Sequence, residues 1–282
     1  MSVYPLAYVD GTFVPAADAC VPIEDLGLQR GYGIFDYLRV SERVPLFLDD
    51  HLDRFFRSAE MMRLPLSIDR QGLTRIIHEV IDSEALTVSG IRILLTGGPS
   101  SDGYTISAPR LAVIRQPLAA PPGQLPATGI ALCSYGYQRQ LSSVKTTDYL
   151  MAVWLQPWLK ERGGDDILYH DGGLLRECPR SNIFLVDEAG FLVTPKDGML
   201  AGITRKHVLF VAEQSGIPTA VRDVRLEELD RAREVFITSS TRRIVPVQQI
   251  DDHMVSAPGP VTQMLWDAFL AHEQAYLRAH AR

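Results

Sequence analysis

The chain has 282 residues, of which 46% are hydrophobic and 22% charged, and its formal net charge at pH 7 is −6. The composition is typical of a globular protein, and the length exceeds what one core usually holds, so we expect two packed lobes. The acidic balance argues against a nucleic-acid-binding surface, and no apolar run is long enough to cross a membrane.

The three cysteines, Cys20, Cys133 and Cys178, are widely spaced and form no CxxC motif. This pattern predicts neither a disulfide framework nor a metal site, and it favours reduced thiols in a reducing compartment. The N-terminal segment lacks the charged and apolar regions of a signal peptide. We therefore predict a cytoplasmic protein with no nucleic-acid or membrane partner.

In the first part of the chain, apolar residues follow the strand period of 2 in some segments and the helix period of 3.6 in others. Asp10-Gly11 separates two short apolar runs and predicts a hairpin turn. Helical spacing follows the third strand, where Leu52, Phe55 and Ala59 share one face. The predicted elements are a hairpin over 6–15, a strand over 33–40, helices over 49–62 and 70–85, and strands in IRILLTGG and RLAVIR.

Residues 116–129 contain four prolines and two glycines, a composition that suits neither a helix nor a strand. We interpret residues 116–128 as a linker between a small α/β domain (1–115) and a larger domain (129–282), the alternative being a long surface loop.

Beyond the linker, hairpins predominate. The predicted elements are a strand in GIALCSY, a helix in DYLMAVWLQPWLKERG with a kink at Pro157, hairpin strands over 165–195, a helix in ITRKHVLFVAEQSG ending at Gly216, a short helix in VRLEELDRA, a strand in EVFITSS and a final helix from Val261. The fold class is mixed α/β in two lobes.

Lys145 lies in SSVKTTDYLMAV, at the junction of a strand and a helix. A lysine that attacks a carbonyl carbon must be partly desolvated so that its amine is available near neutral pH. Most lysines are solvated surface charges, so both interpretations stay open here.

Glu177 and Arg180 lie in RECPRSNIF, between two hairpin strands. They could form a surface ion pair of little energetic value. Alternatively, Glu177 is a carboxylate that holds a proton on the ring nitrogen of a cofactor.

Three places could bind an anion. AGITRKH opens a helix, where free backbone N–H groups join the hydroxyl of Thr204, and TSSTRR ends a strand in consecutive hydroxyls. Arg54 on the first long helix could add a charged fork. An ordinary helix start, a polar turn and a solvated helix face beside Asp50 and Asp53 are the alternatives.

The order of these motifs resembles the class IV aminotransferases, the fold-type IV pyridoxal-phosphate (PLP) enzymes. It comprises an arginine in HLDRFFRSA, a lysine in KxxD, a glutamate 32 residues later followed by SNIF, then AGITR and TSS. The resemblance extends from Gly31 to Val247. It implies a two-lobe architecture with a smaller N-terminal α/β domain and a larger, hairpin-rich, barrel-like C-terminal domain.

The resemblance also implies roles for individual residues. Lys145 matches the family's Schiff-base lysine, which also moves the proton, and Glu177 matches the carboxylate at the pyridine nitrogen. The residues that match the phosphate site are Arg54, Ile203, Thr204, Ser240 and Thr241. Asp148 stands where the family more often has asparagine and receives no role. The family implies a homodimer with shared active sites.

The substrate depends on how its carboxylate is held. The usual D-amino acid enzymes have an Arg-x-His pair after the strand in IRILLTGG, and this chain has TGGPSSDGY there. A less common D-amino acid subgroup resembles this chain at RGYGIFD and ECxRSN. We therefore predict that Arg30 and Arg180 clamp the carboxylate. Tyr32 and Phe35, with Tyr37, would line the pocket, although aromatic residues at strand spacing are more often core.

The resulting prediction is a D-amino acid transaminase that takes the amino group of D-alanine or D-glutamate class donors. A 2-oxo acid such as 2-oxoglutarate would receive it in a ping-pong cycle. The alternatives are a branched-chain L-amino acid aminotransferase, for which Arg92 could supply an arginine, an aminodeoxychorismate lyase-type enzyme and a degenerate, non-enzymatic dimer.

Overall fold

The computed structural model describes residues 5–281, which divide into two compact units. The first unit extends to Ala120 and adds the segment Val144–Asp148 and the C-terminal residues from Tyr276. The second unit comprises Pro121–Ser143 and Tyr149–Ala275. The first long stretch of this unit therefore ends at Ala120, within the proline-rich segment. Lys145 lies beyond that segment in the sequence and nevertheless belongs to the first unit.

The first unit combines a sheet with two long helices, and the predicted hairpin over 6–15 and the predicted helices are confirmed. Its elements are β1 (Leu6–Val9), β2 (Thr12–Pro15), α1 (Leu26–Arg30), β3 (Gly33–Ser41), β4 (Val44–Pro45), α2 (Leu48–Met61), α3 (Arg70–Asp82), β5 (Val88–Thr96) and β6 (Arg110–Pro117).

The six strands pair antiparallel in the order β2-β1-β6-β5-β3-β4, with Gly33 opposite Thr96 and Ser41 opposite Val88 in the β3–β5 ladder. Successive side chains of a strand point to opposite faces. Ile34, Leu38 and Val40 therefore share one face of β3, where they join buried residues of α2 and α3 in one core. Phe35 and the other odd-numbered residues lie on the opposite face.

The second unit is rich in strands. Its elements are β7 (Ile130–Gly136), α4 (Leu150–Trp154), α5 (Gln156–Glu161), β8 (Asp166–Asp171), β9 (Leu174–Leu175), β10 (Glu177–Cys178), β11 (Ser181–Val186), β12 (Leu192–Pro195), α6 (Ile203–Gln214), β13 (Thr219–Arg222), β14 (Glu234–Ser239), β15 (Arg243–Ile250) and β16 (His253–Met254). Helix α7 (Pro260–His280) follows.

One prediction for this unit needs correction. The single kinked helix expected around Pro157 is two short helices that meet at Leu155. Proline has no N–H to donate, so it is tolerated in the first turn of α5, where no intrahelical partner is required.

The strands of the second unit form a sheet in the order β13-β12-β11-β14-β15-β7-β8-β9. The two ends of this order are joined by backbone hydrogen bonds from Leu175 N to Val224 O and from Leu226 N to Gly173 O, both 2.8 Å. The sheet therefore curls toward closure, which confirms the expected barrel-like domain. Its buried interior includes Leu132, Ile183, Val235, Ile237 and Val247.

Among residues 5–281, no helix combines the length and the apolar character that crossing a membrane requires.

Candidate active site

The Lys145 segment is bound to the start of β3. The Phe35 amide donates to the Lys145 carbonyl at 2.9 Å, and the Thr147 amide donates to the Gly33 carbonyl at 2.9 Å. Both sequence neighbours of Lys145 are buried, while Lys145 itself is half-buried. The backbone is thus fixed on both sides of the lysine.

The odd-numbered face of β3 carries aromatic rings and cations. The Lys145 Nζ lies 4.6 Å from the centre of the Phe35 ring, and the Arg92 guanidinium carbon lies 4.8 Å from the same centre. Tyr37 stands opposite Arg92 across the β3–β5 ladder. Burial raises the pKa of Tyr37 while the Arg92 charge opposes the rise, so Tyr37 keeps its hydroxyl proton at neutral pH.

The opposite face of β3 carries a buried ionic cluster. Asp36 accepts from Arg54 Nε at 2.9 Å and Nη2 at 2.8 Å, and from His51 Nδ1 at 2.6 Å. Arg54 is 4% exposed, so the alternative of a solvated helix face is wrong. Asp36, an acid inside an otherwise apolar strand, is the partner of Arg54 across the sheet–helix interface.

Glu177 is 5% exposed in the second unit, and its two oxygens have separate partners. Arg139 Nε donates to Oε1 at 2.8 Å, and the Leu200 amide donates to Oε2 at 3.1 Å. Arg139 also donates through Nη2 to the Ser142 carbonyl at 2.8 Å. The charge and the two hydrogen bonds favour the ionised carboxylate, which suits a group that must stabilise a protonated ring nitrogen. The alternative of an ion pair between Glu177 and Arg180 is wrong, because Glu177 pairs with Arg139.

Helix α6 begins at Ile203 and Thr204, which are buried. Its N-cap residue, Gly202, offers no side chain to the first backbone N–H groups, so these remain suited to an anion. A side chain at Gly202 would overlap the Asn182 carboxamide, which explains glycine at this close approach. The two other predicted phosphate ligands, Ser240 and Thr241, are half-buried in the turn between β14 and β15.

Arg30 and Arg180 are both exposed. Arg30 ends α1, donates from Nη1 to the Gln29 carbonyl at 3.0 Å and lies 5.6 Å from the centre of the Tyr104 ring. Tyr32 donates from its hydroxyl to the Met62 carbonyl at 2.7 Å and packs against the core of the first unit.

The predicted site residues therefore fall in both units. Lys145, Arg54, Phe35, Tyr32 and Arg30 lie in the first unit, and Glu177, Arg180, Ile203, Thr204, Ser240 and Thr241 lie in the second. The structure brings Lys145 to Phe35 within the first unit.

Sequence reasoning missed His51 and Arg139, and it gave Asp36 only a structural salt bridge without naming the partner. The signal for Asp36 was an acid inside an apolar strand, and the signal for His51 was its position one turn before Arg54 on the same helix face. Arg139 had no sequence signal, because its partner Glu177 lies 38 residues away.

The family model "Amino-transferase class IV" matches residues 33–250 of this chain. The chain therefore belongs to the class IV aminotransferases, as its resemblance predicted.

This chain is similar both to proteins named for D-alanine and to proteins named for branched-chain amino acids. A Methanocaldococcus jannaschii protein, provisionally assigned as a branched-chain-amino-acid aminotransferase, is 30% identical over 93% of this chain and 94% of its own. A Bacillus licheniformis D-alanine aminotransferase is 27% identical over 90% and 92%. The solved Escherichia coli branched-chain amino acid aminotransferase is 25% identical, with a TM-score of 0.86 over 95% of this chain and 94% of that one.

Class IV aminotransferases use PLP, which is therefore the cofactor of this chain. Its residues fit that molecule on structural grounds. A half-buried lysine lies on an aromatic ring, a buried arginine has a fixed orientation, a buried glutamate is paired with Arg139, and helix α6 has an N-terminus without a side-chain cap.

Proposed function

We propose that this aminotransferase transfers the amino group of a D-amino acid, of the D-alanine or D-glutamate class, to a 2-oxo acid such as 2-oxoglutarate. One observation carries the choice of hand. Within residues 5–281, neither Arg30 nor Arg180 pairs with a carboxylate, and Glu177, the carboxylate nearest to Arg180 in sequence, is held by Arg139 instead. Both guanidinium groups are thus available for a substrate carboxylate, as in the predicted clamp.

Strand β5 supports the same choice. The family's branched-chain pattern places a tyrosine beside the arginine on this strand, whereas here Ile91 precedes Arg92, and Gly90 and Leu94 are its neighbours on the same face. A side chain at Gly90 would overlap the Tyr37 ring, so a tyrosine does not fit there without a rearrangement.

In the proposed reaction each residue of the chain has a separate task. When bound, PLP withdraws electrons from the substrate carbon that bears the amino group, so that this carbon can release a proton. The Lys145 amine accepts that proton and returns one to the product, acting as base and then as acid. Glu177 stabilises a protonated pyridine nitrogen. Arg54, the first turn of α6 at Ile203 and Thr204, and the hydroxyls of Ser240 and Thr241 bind the phosphate.

Phe35 would line the substrate site, because its ring already contacts the Lys145 Nζ. A substrate contact by Tyr32 stays a prediction. Its hydroxyl already donates a hydrogen bond to the Met62 carbonyl, so Tyr32 also has a structural role. We further propose that the protein works as a homodimer in the cytoplasm, on small amino and oxo acids.

A branched-chain L-aminotransferase is the second candidate. The similarity to the M. jannaschii protein and the presence of Arg92 on β5 favour it.

A half-reaction separates the two candidates. The holoenzyme is mixed with one amino acid at a time, without an acceptor, and the visible absorbance of lysine-bound PLP is followed. D-alanine or D-glutamate should abolish the band and yield the matching oxo acid, whereas L-leucine should leave it unchanged. Conversion by L-leucine alone would refute the proposed hand.

The clamp is tested by steady-state kinetics. Arg30→Ala and Arg180→Ala should each raise the substrate KM at least tenfold, because a lost charge-assisted hydrogen bond costs roughly 1.5–3 kcal/mol. Arg57→Ala is the matched control, since Arg57 is also exposed but carries no proposed role. Unchanged KM values in both Arg30→Ala and Arg180→Ala would refute the proposed carboxylate clamp.

A further inference from the structure

The side chains of Asp36, His51 and Arg54 form a buried ionic cluster. The side chains of Asp36, His51 and Arg54 are 0%, 2% and 5% exposed, respectively. Burial of an unpaired charge is costly, so such a cluster is stable only if its charges balance and its donors and acceptors are matched.

The charges of the cluster do balance. Burial alone would raise the pKa of Asp36, but the Arg54 charge and the hydrogen bonds from His51 and Arg54 hold it well below its usual range. Burial lowers the pKa of His51; Asp36 opposes this effect, while the charges on Arg54 and Lys145 add to it, and the net shift is downward. At neutral pH the cluster therefore contains one carboxylate, one guanidinium and a neutral imidazole.

The hydrogen bonds assign the tautomer of His51. Asp36 Oδ1 lies 2.6 Å from His51 Nδ1, and an ionised carboxylate only accepts. The proton of the neutral imidazole is therefore on Nδ1. The same oxygen also accepts from Arg54 Nη2 at 2.8 Å and from the Tyr37 amide at 2.8 Å, which fixes the carboxylate plane from three sides.

The carboxylate in turn fixes the guanidinium. Asp36 takes Nε and Nη2 of Arg54 in a bidentate pair, at 2.9 and 2.8 Å. Because the guanidinium is planar, binding the carboxylate through Nε and Nη2 directs Nη1 away from Asp36. Rotation of the Arg54 side chain would break both bonds and leave the buried Asp36 charge unpaired.

We infer that Asp36 and His51 are positioning residues that hold the Arg54 guanidinium in the single orientation that binds the PLP phosphate, without touching the cofactor themselves. This inference rests on the proposed phosphate-binding role of Arg54. His51 acts through Asp36: its Nδ1–H holds the carboxylate, and the carboxylate holds the arginine.

The test compares the affinity for PLP with the affinity for pyridoxal, which lacks the phosphate. The ratio of the two dissociation constants isolates the phosphate contribution, and it is measured by equilibrium dialysis of the full-length protein without any assay of activity. His51→Ala should lower the PLP affinity by about tenfold and leave the pyridoxal affinity unchanged. His51→Asn should restore the wild-type ratio, because the asparagine amide places a donor close to the position of Nδ1.

Asp36→Glu provides a second variant that keeps the charge, and it should retain more of the PLP-to-pyridoxal ratio than Asp36→Asn. Ser58→Ala is the matched control, since Ser58 lies on the same buried face of α2. It should leave the ratio unchanged.

The outcomes separate the inference from the proposal beneath it. An unchanged ratio in Arg54→Ala would remove the phosphate role of Arg54 itself. A reduced ratio in Arg54→Ala, together with an unchanged ratio in both His51→Ala and Asp36→Asn, would overturn the positioning role alone. A fall in both affinities by the same factor, or failure of His51→Asn to restore the ratio, would also overturn it.

Discussion

Replacement of Arg139 by methionine should destabilise the second unit through Glu177. The side chains of Arg139 and Glu177 are 12% and 6% exposed, so the substitution removes the Arg139 charge and its hydrogen bond from a buried carboxylate. It also frees the Ser142 carbonyl. Breaking a buried charge pair by removing one partner costs about 3–5 kcal/mol, and the slight exposure favours the lower end, about 3 kcal/mol.

Urea unfolding of the PLP-free protein, followed by a probe of the second unit, measures this cost. At a slope of about 3 kcal/mol/M, the midpoint should fall by about 1 M. Arg222→Met is the matched control in the same unit. Arg222 binds Glu228 at 2.7 Å, but their side chains are 41% and 33% exposed, so the loss should stay below about 1 kcal/mol. Equal midpoints for the two variants would refute the argument that burial, rather than distance, sets the cost.

Three further predictions concern acid stability, packing and thiol reactivity. The pKa values of His51 and Asp36 both lie below their ordinary ranges, so the unfolded chain binds more protons and the urea midpoint should fall from about pH 6.5 downward, less steeply in His51→Asn. Gly90→Ala should cost about 1–3 kcal/mol in urea unfolding, most of it recovered when Tyr37→Leu is added. Because burial raises the pKa of the Cys178 thiol, iodoacetamide should label it only after unfolding, as read by mass spectrometry.

Each of these predictions has a contradicting result. A midpoint that does not change in mildly acidic buffer would refute the charge state assigned to the buried cluster. If the losses in unfolding free energy of Gly90→Ala and Tyr37→Leu were additive, the Tyr37 ring would not be what a side chain at Gly90 overlaps. Labelling of the native thiol would show that its site opens in the folded protein.

Much of the fold could be predicted because its signals are local. The hairpin at Asp10-Gly11 has both turn residues at positive φ, 46° and 92°, as the sequence indicated. The helix over 49–62 is found at Leu48–Met61, since its apolar spacing matches a buried face. Helix α1 was missed because five residues are too few to show a period.

The site was predictable only where a residue type and its position in a known motif coincide. Lys145 and Glu177 were found in this way. The partners that fix the charges were not, because Asp36 meets Arg54 and Arg139 meets Glu177 through tertiary packing. For the same reason, the alternatives of a solvated Arg54 and a Glu177–Arg180 pair were plausible from the sequence and do not match the structure.

The hand of the substrate is tested most directly with racemic alanine. The holoenzyme is incubated with racemic alanine and 2-oxoglutarate, and both enantiomers of alanine and glutamate are quantified by chiral chromatography. We expect D-alanine to be consumed, D-glutamate to accumulate in equal amount, and L-alanine to remain unchanged. Formation of L-glutamate at the expense of L-alanine, with D-alanine unchanged, would contradict the proposed D-amino acid specificity.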